Sequence, residues 1–149
     1  MPYEISRDRG RMDLTVIHRF LSRCYWSPGI RRDVLAQAIR NSEVAGAFDE
    51  AGRQVGFARA VTDRATFAWL CDVFVLEDHR GRGLAREMVR ALMADPQLQT
   101  LRRWCLATRD AEGVYRPLGF ERIPPERIWM EQRPPASGWQ EPGTPTPPA

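Results

Sequence analysis

Residues 72–92 read DVFVLEDHRGRGLAREMVRAL, and within them an apolar strand turns into a helix through a tight polar loop. The strand begins near Thr66 (TFAWLCDVFVL), and its aromatic and β-branched residues suit a central position in a sheet. Past Gly83 the spacing changes: Leu84, Met88 and Leu92 recur at helical intervals, and the helix must close before Pro96. Between the two lie Arg80, Gly81, Arg82, Gly83, Leu84 and Ala85. Backbone N–H groups at a helix start have no intrahelical acceptor, and the helix dipole adds partial positive charge, so this junction predicts an anion cradle. Gly81 and Gly83 let a phosphate approach the backbone, Ala85 keeps the helix face small, and Arg80 and Arg82 add charge. No Gly-Lys-Ser/Thr follows, which excludes a P-loop, and the three glycines of a dinucleotide fingerprint are missing.

Upstream, Asp13 stands as an N-cap before Leu14, Ile17, Leu21 and Cys24, which predicts a helix over about 14–23. YWSPGI (25–30) breaks it, and Arg31 to Asn41 reads as a second helix. EVAGAF (43–48) and QVGFARAVT (54–62), separated by Asp49, Glu50, Ala51 and Gly52, predict an antiparallel hairpin. Downstream, WCLAT (104–108) is a buried strand, and with the helix before it completes a right-handed βαβ unit of parallel strands. Ala111 to Leu118 reads as a short helix, and Phe120–Ile123 and Ile128–Gln132 as two closing strands. From Pro134 onward six prolines with Gly, Ser and Thr predict a disordered tail, residues 134–149, after a folded domain over 1–133.

A chain of 149 residues fits one domain, with 43% hydrophobic and 28% charged residues as in soluble globular proteins. No apolar run is long enough to span a membrane and no secretory signal is visible, so the expectation is a cytoplasmic protein with no membrane partner. Cys24, Cys71 and Cys105 are an odd number without a C-x-x-C pair, which argues against disulfides and against a metal site. All 22 basic residues are arginines, but they are scattered and the net charge is only +3, so a nucleic-acid partner is not expected.

The turn resembles the coenzyme-A motif of the GNAT superfamily of N-acetyltransferases, Arg/Gln-x-x-Gly-x-Gly/Ala, through Arg80, Gly83 and Ala85. Glu77 stands where the family has a strand-end proline. The preceding hairpin, the later strand and TRDAEGVYRPLGF (108–120), similar to the family's Tyr-x-x-x-Gly-Phe segment, agree in order and spacing. The resemblance implies an α/β (α+β) fold: a mixed, mostly antiparallel sheet of about six to seven strands with a splayed parallel pair, flanked by about four helices. It implies acetyl-CoA as co-substrate, with the pyrophosphate on the N–H groups of Gly81, Arg82, Gly83, Leu84 and Ala85. The main chain of Val73, Phe74 and Val75 would meet the pantetheine, and Thr108 stands where the family often has a coenzyme-touching asparagine.

The resemblance further implies transfer of the acetyl group to a primary amine of a small molecule or peptide, with Tyr115 as general acid, and it admits a homodimer. A non-catalytic acetyl-CoA sensor or interaction module is the alternative. Asp72, a carboxylate among apolar neighbours, needs a reason to be there. It either deprotonates the ammonium, directly or through water, or orients the substrate, or else it is a hydrogen-bonding partner of backbone or arginine. Alternation places it on the face of Leu70 and Phe74. Tyr25 and Trp26 fall where the family builds its acceptor wall, with core packing as the competing role; Glu43 is a further acceptor-side candidate.

Overall fold

The computed structural model describes residues 2–134 and 137–145. Its five strands, in order along the sheet, are β1 (Glu4–Ser6), β2 (Glu43–Phe48), β3 (Gln54–Thr62), β4 (Phe67–Val75) and β5 (Arg103–Cys105). The first four pair antiparallel, and β5 lies parallel to β4. The helices are α1 (Leu14–Leu21), α2 (Arg32–Arg40), α3 (Leu84–Met93) and the short α4 (Glu112–Tyr115). Strand β1, absent from the sequence-based expectation, is three residues long and too short to show a period.

Each sheet face carries its own apolar cluster. On one face α3 lays Leu84, Met88, Val89 and Leu92 against Ala45, Ala47, Ala58, Ala60 and Leu70. Alanines on β2 and β3 let the helix approach closely, and each buried Leu, Met or Val contributes about 1.5–3 kcal/mol. On the other face Ile17 and Leu21 of α1 and Leu35 and Ile39 of α2 meet Val44, Phe57 and Phe74. Helix α1 starts as expected, with the Asp13 carboxylate accepting from the N–H groups of Thr15 and Val16 at 3.0 and 3.2 Å. No helix among the described residues is long and apolar enough to cross a membrane.

The sheet stops at β5, giving five strands where six to seven were expected. Neither Phe120–Ile123 nor Ile128–Gln132 forms a strand. Pro124 and Pro125 lie between them, and prolines have no N–H to donate to a ladder. Residues 121–134 are exposed, with Ile128 and Met130 each at 85%. Thr108 is also not in a strand, because β5 ends at Cys105. The expected disordered tail falls partly on 135–136 and 146–149, outside the described residues. Of the described part, 137–145 rests against the loop joining α1 and α2 through an antiparallel bridge between Ile30 and Gln140.

Candidate active site

The site opens where β4 and β5 part. They pair over only three residues each, Phe67 to Trp69 against Arg103 to Cys105. Beyond Trp69, β4 carries a bulge: its register against β3 steps from Arg59↔Cys71 to Phe57↔Phe74. Asp72 occupies the bulge with φ +54°, a left-handed conformation that Asp tolerates better than most residues. A bulge bends its strand and flips the side-chain alternation. Leu70 therefore joins the α3 core and Phe74 the α1/α2 core. The sequence-based placement of Asp72 on a face shared by both is thus corrected: strict alternation does not survive an inserted residue.

Bending leaves a cleft of about 310 Å³ between β4 and the chain after β5, lined among others by Tyr25, Trp26, Trp69, Asp72, Thr108 and Tyr115. Among the described residues β4 has no strand partner on this side beyond Trp69, and of Val73, Phe74 and Val75 it is Val73 that lines the cleft. The Phe74 side chain points away into the core, stacked on Phe20 with centroids 4.0 Å apart.

At the end of β4 the chain passes through the short 3-10 turn Glu77–His79 into α3. Gly83 caps α3 with φ +76° and ψ 14°, and no side chain satisfies the first-turn N–H groups. A Cβ on Gly83 would meet nothing within 4 Å, so what requires glycine here is the backbone conformation rather than space. The first turn thus presents unpaired donors at the positive end of a ten-residue helix, flanked by the exposed Arg80 and Arg82. Arg80 Nε also donates to the Val75 carbonyl at 2.9 Å, tying the turn to the strand end.

Asp72 is engaged at both carboxylate oxygens. Trp26 Nε1 donates to Oδ1 at 3.0 Å and Arg59 Nε to Oδ2 at 2.9 Å, and the Asp72 side chain is only 9% exposed. Burial, the largest single influence, opposes the Arg59 charge, but the charge and hydrogen bond of Asp72 together with the neighbouring Cys71 raise the guanidinium pKa. Next to it the Cys71 thiol is pushed up to about 12, mainly by burial, so it stays protonated and is no nucleophile.

Tyr115, at the end of α4, packs edge-on against Phe120 at 5.9 Å and leans on the α3 core. Burial alone pushes its phenol up to about 12. It stands between the cleft and a second hollow of about 450 Å³ on the outer side of β5; Leu106, Ala107 and Thr108 line both as well. Thr108 Oγ1 accepts the Ala111 N–H at 2.9 Å and so shapes the turn into α4.

The acceptor-side candidates separate. Tyr25 (47% exposed) and Trp26 (39%) line the cleft. Tyr25 lies under the Arg109 guanidinium, 3.8 Å from the ring centroid, so a contact from beyond β5 closes over the cleft. Glu43 is not brought there: its carboxylate is held by Arg7 and Arg64 at 2.6 Å each and by Arg9 at 3.8 Å.

Comparison with known proteins matches a family model described as an acetyltransferase (GNAT) domain over residues 40–122, more than half of the chain. The chain belongs to the GNAT acetyltransferase family. It is 30% identical over 133 residues to a Gibberella zeae protein named as an acetyltransferase, covering 76% of this chain and 75% of that protein. It is 31% identical over 127 residues to the chloroplastic serotonin N-acetyltransferase 2 of Oryza sativa subsp. japonica, covering 82% of this chain and 63% of the relative. A crystal structure of a GNAT-family protein from Xanthomonas campestris pv. campestris superposes with a TM-score of 0.82 at 44% identity, covering 89% of this chain and 94% of that one.

Family membership makes the chain an acetyltransferase. Three residues of this GNAT site escaped the sequence. Arg59 left a signal, a lone charge inside the apolar strand QVGFARAVT facing the strand that carries Asp72. Trp69 and Arg109 left none, since an aromatic in a central strand and an arginine in a loop are ordinary.

Proposed function

We propose that this chain moves the acetyl group of acetyl-CoA onto a primary amine by direct attack within a ternary complex. The observation that carries this is the parting of β4 and β5: a cleft opens there against Val73 and the Tyr115 phenol, and past the end of β4 the first turn of α3 offers N–H groups that no side chain caps. The residues present suit the coenzyme. The N–H groups of 81–85 would hold its pyrophosphate, the main chain of Val73 to Val75 its pantetheine, and Thr108 would lie alongside. When bound, acetyl-CoA supplies an activated thioester.

The amine nitrogen forms a bond to the acetyl carbon, the carbon–sulfur bond breaks, and the ammonium proton must leave while the sulfur acquires one. Tyr115 serves the sulfur. A phenol near 12 is a weak acid beside a thiol of ordinary pKa, about 8.5. Its contribution is therefore a hydrogen bond that strengthens as charge reaches the sulfur, and the departing thiolate takes its proton from water. Asp72 holds rather than abstracts: with Trp26 on one oxygen and Arg59 on the other, it fixes the acceptor wall, and water accepts the amine proton.

The acceptor wall is aromatic, with Tyr25, Trp26 and Trp69 around one cleft and Trp69 stacked on Trp129 at 5.3 Å. Such walls favour an amine carrying a flat apolar group. The rice relative's named substrate, serotonin, is of that class. The test is thiol release from acetyl-CoA across a panel of phenylethylamine, serotonin, spermidine and a peptide with a free N-terminus, with products weighed by mass spectrometry. Aryl amines should lead. Binding of acetyl-CoA with no amine accelerating thiol release over water would defeat the proposal.

A further inference from the structure

The loop that carries Tyr25 and Trp26 is held from two sides. On the near side it hangs from α1: Ser27 Oγ donates to the Leu21 carbonyl at 2.7 Å, Gly29 N–H to the Ser22 carbonyl at 2.8 Å, and His18 Nε2 lies 2.8 Å from the Ile30 carbonyl. On the far side its partner is the C-terminal segment. Arg31 N–H donates to the Trp139 carbonyl at 2.9 Å and Glu141 N–H to the Gly29 carbonyl at 2.7 Å, flanking the Ile30–Gln140 bridge. Gln140 Nε2 reaches the Pro28 carbonyl at 3.0 Å, and Arg31 Nη1 the Gly138 carbonyl at 2.8 Å. Thr144 sits so close to Gly29 that a Cβ there would lie 2.4 Å from its Oγ1. Gly29 has φ +69°, so absence of a side chain serves both the turn and the docking.

From this geometry we infer that segment 138–145 is a positioning element for the acceptor site: by clamping 28–31 from outside, it keeps Trp26 on Asp72 and Tyr25 under Arg109. The inference rests on the acceptor reading of the cleft given above. Tyr25 and Trp26 are 47% and 39% exposed, and they meet the body chiefly through Arg109, Asp72 and Phe20, so local stability there also depends on how the loop's ends are fixed. Without the outer segment, the ten-residue loop between α1 and α2 would sample conformations in which the aromatic wall is dispersed. An acceptor would then bind only the fraction already assembled, and its apparent affinity would fall by that fraction. Pro142 and Pro145 restrict the free segment, which lowers the entropy lost on docking. None of the clamp contacts involves Gly81 to Ala85 or Tyr115, so the coenzyme half of the site is independent of it.

The test compares the full chain with a chain ending at Pro134 and with full-length Glu141→Pro, which deletes the N–H that reaches Gly29. Amide hydrogen exchange is followed over 22–31 and over β2 to β4, and steady-state transfer is measured with acetyl-CoA and phenylethylamine. Loop exchange should rise about tenfold in both variants, with β2 to β4 unaltered. The KM for the amine should rise about fivefold or more, with kcat and the acetyl-CoA KM unchanged. If truncation unfolds the chain, Glu141→Pro decides alone. Unchanged loop exchange in the variants overturns the clamp, and faster exchange with an unchanged amine KM overturns its positioning role. Should the full chain acetylate no amine, that failure belongs to the acceptor reading and removes the kinetic half, while exchange at 28–31 still decides the clamp.

Discussion

Replacing Asp72 by Asn separates the two roles a carboxylate can have at this position. In the variant the amide oxygen still accepts from Trp26 Nε1, but its NH2 faces the Arg59 guanidinium, which is 17% exposed and keeps only the Ser42 Oγ bond at 3.0 Å. Breaking a fully buried pair costs about 3–5 kcal/mol because an uncompensated charge remains. The partial exposure and the Ser42 bond reduce that to about 2–3 kcal/mol, a loss of roughly 5–10 °C in melting temperature for a chain of this size. The double variant Asp72→Asn/Arg59→Met removes the stranded charge and should return to within ~1 kcal/mol of the parent by urea denaturation. Thiol-release assays then tell positioning from base catalysis. If Asp72 only holds Trp26, the double variant retains kcat within about fivefold; loss of a general base costs 10²–10⁴-fold on the order of magnitude. A single variant as stable as the parent would refute the ion pair. A double variant of restored stability with activity down a hundredfold would refute the positioning role.

Tyr115→Phe should lower kcat by about 10–100-fold with the acetyl-CoA KM unchanged, since only the hydroxyl is lost from a packed ring. Gly83→Val should weaken acetyl-CoA binding by at least about tenfold in calorimetry, because a β-branched residue at φ +76° costs more than the ~1–2 kcal/mol of an ordinary left-handed residue and distorts the anion turn. Burial holds Cys71 neutral, with its pKa raised from 9.0 to about 12, so the folded state binds its proton more tightly than the unfolded state. That stability is fully present below about pH 9 and is lost as pH climbs toward 12, by at most ~4 kcal/mol. Denaturant midpoints measured against pH should show the fall, and Cys71→Ala should make it shallower, leaving the part above about pH 10 that the buried Tyr115 phenol contributes.

Much of the framework was legible because it rests on local chemistry. The hairpin β2/β3 shows its turn residues at 49–52, α1 its Asp13 cap, and the strand–turn–helix at 72–92 a change of period that only one structure satisfies. Legibility failed where a tertiary event overrode the pattern. The bulge at Asp72 leaves no mark in the sequence, since Asp is compatible with both an alternating strand and a left-handed kink; it reassigns Phe74 to the opposite core. Segments 120–123 and 128–132 have strand-like composition, but composition does not supply a pairing partner, and Pro124 and Pro125 withhold donors. Glu43 looked available because its three arginine partners lie at 7, 9 and 64, far apart in sequence.

The proposed function requires the coenzyme's anionic end to meet the start of α3 while its thioester end reaches Tyr115. A crystal structure of the chain grown with acetyl-CoA tests this most directly. Pyrophosphate oxygens should lie within hydrogen-bond distance of the N–H groups of Gly81 to Ala85, and the sulfur beside the Tyr115 hydroxyl between β4 and the chain after β5. Coenzyme bound elsewhere, with the first turn of α3 facing only water, would contradict it.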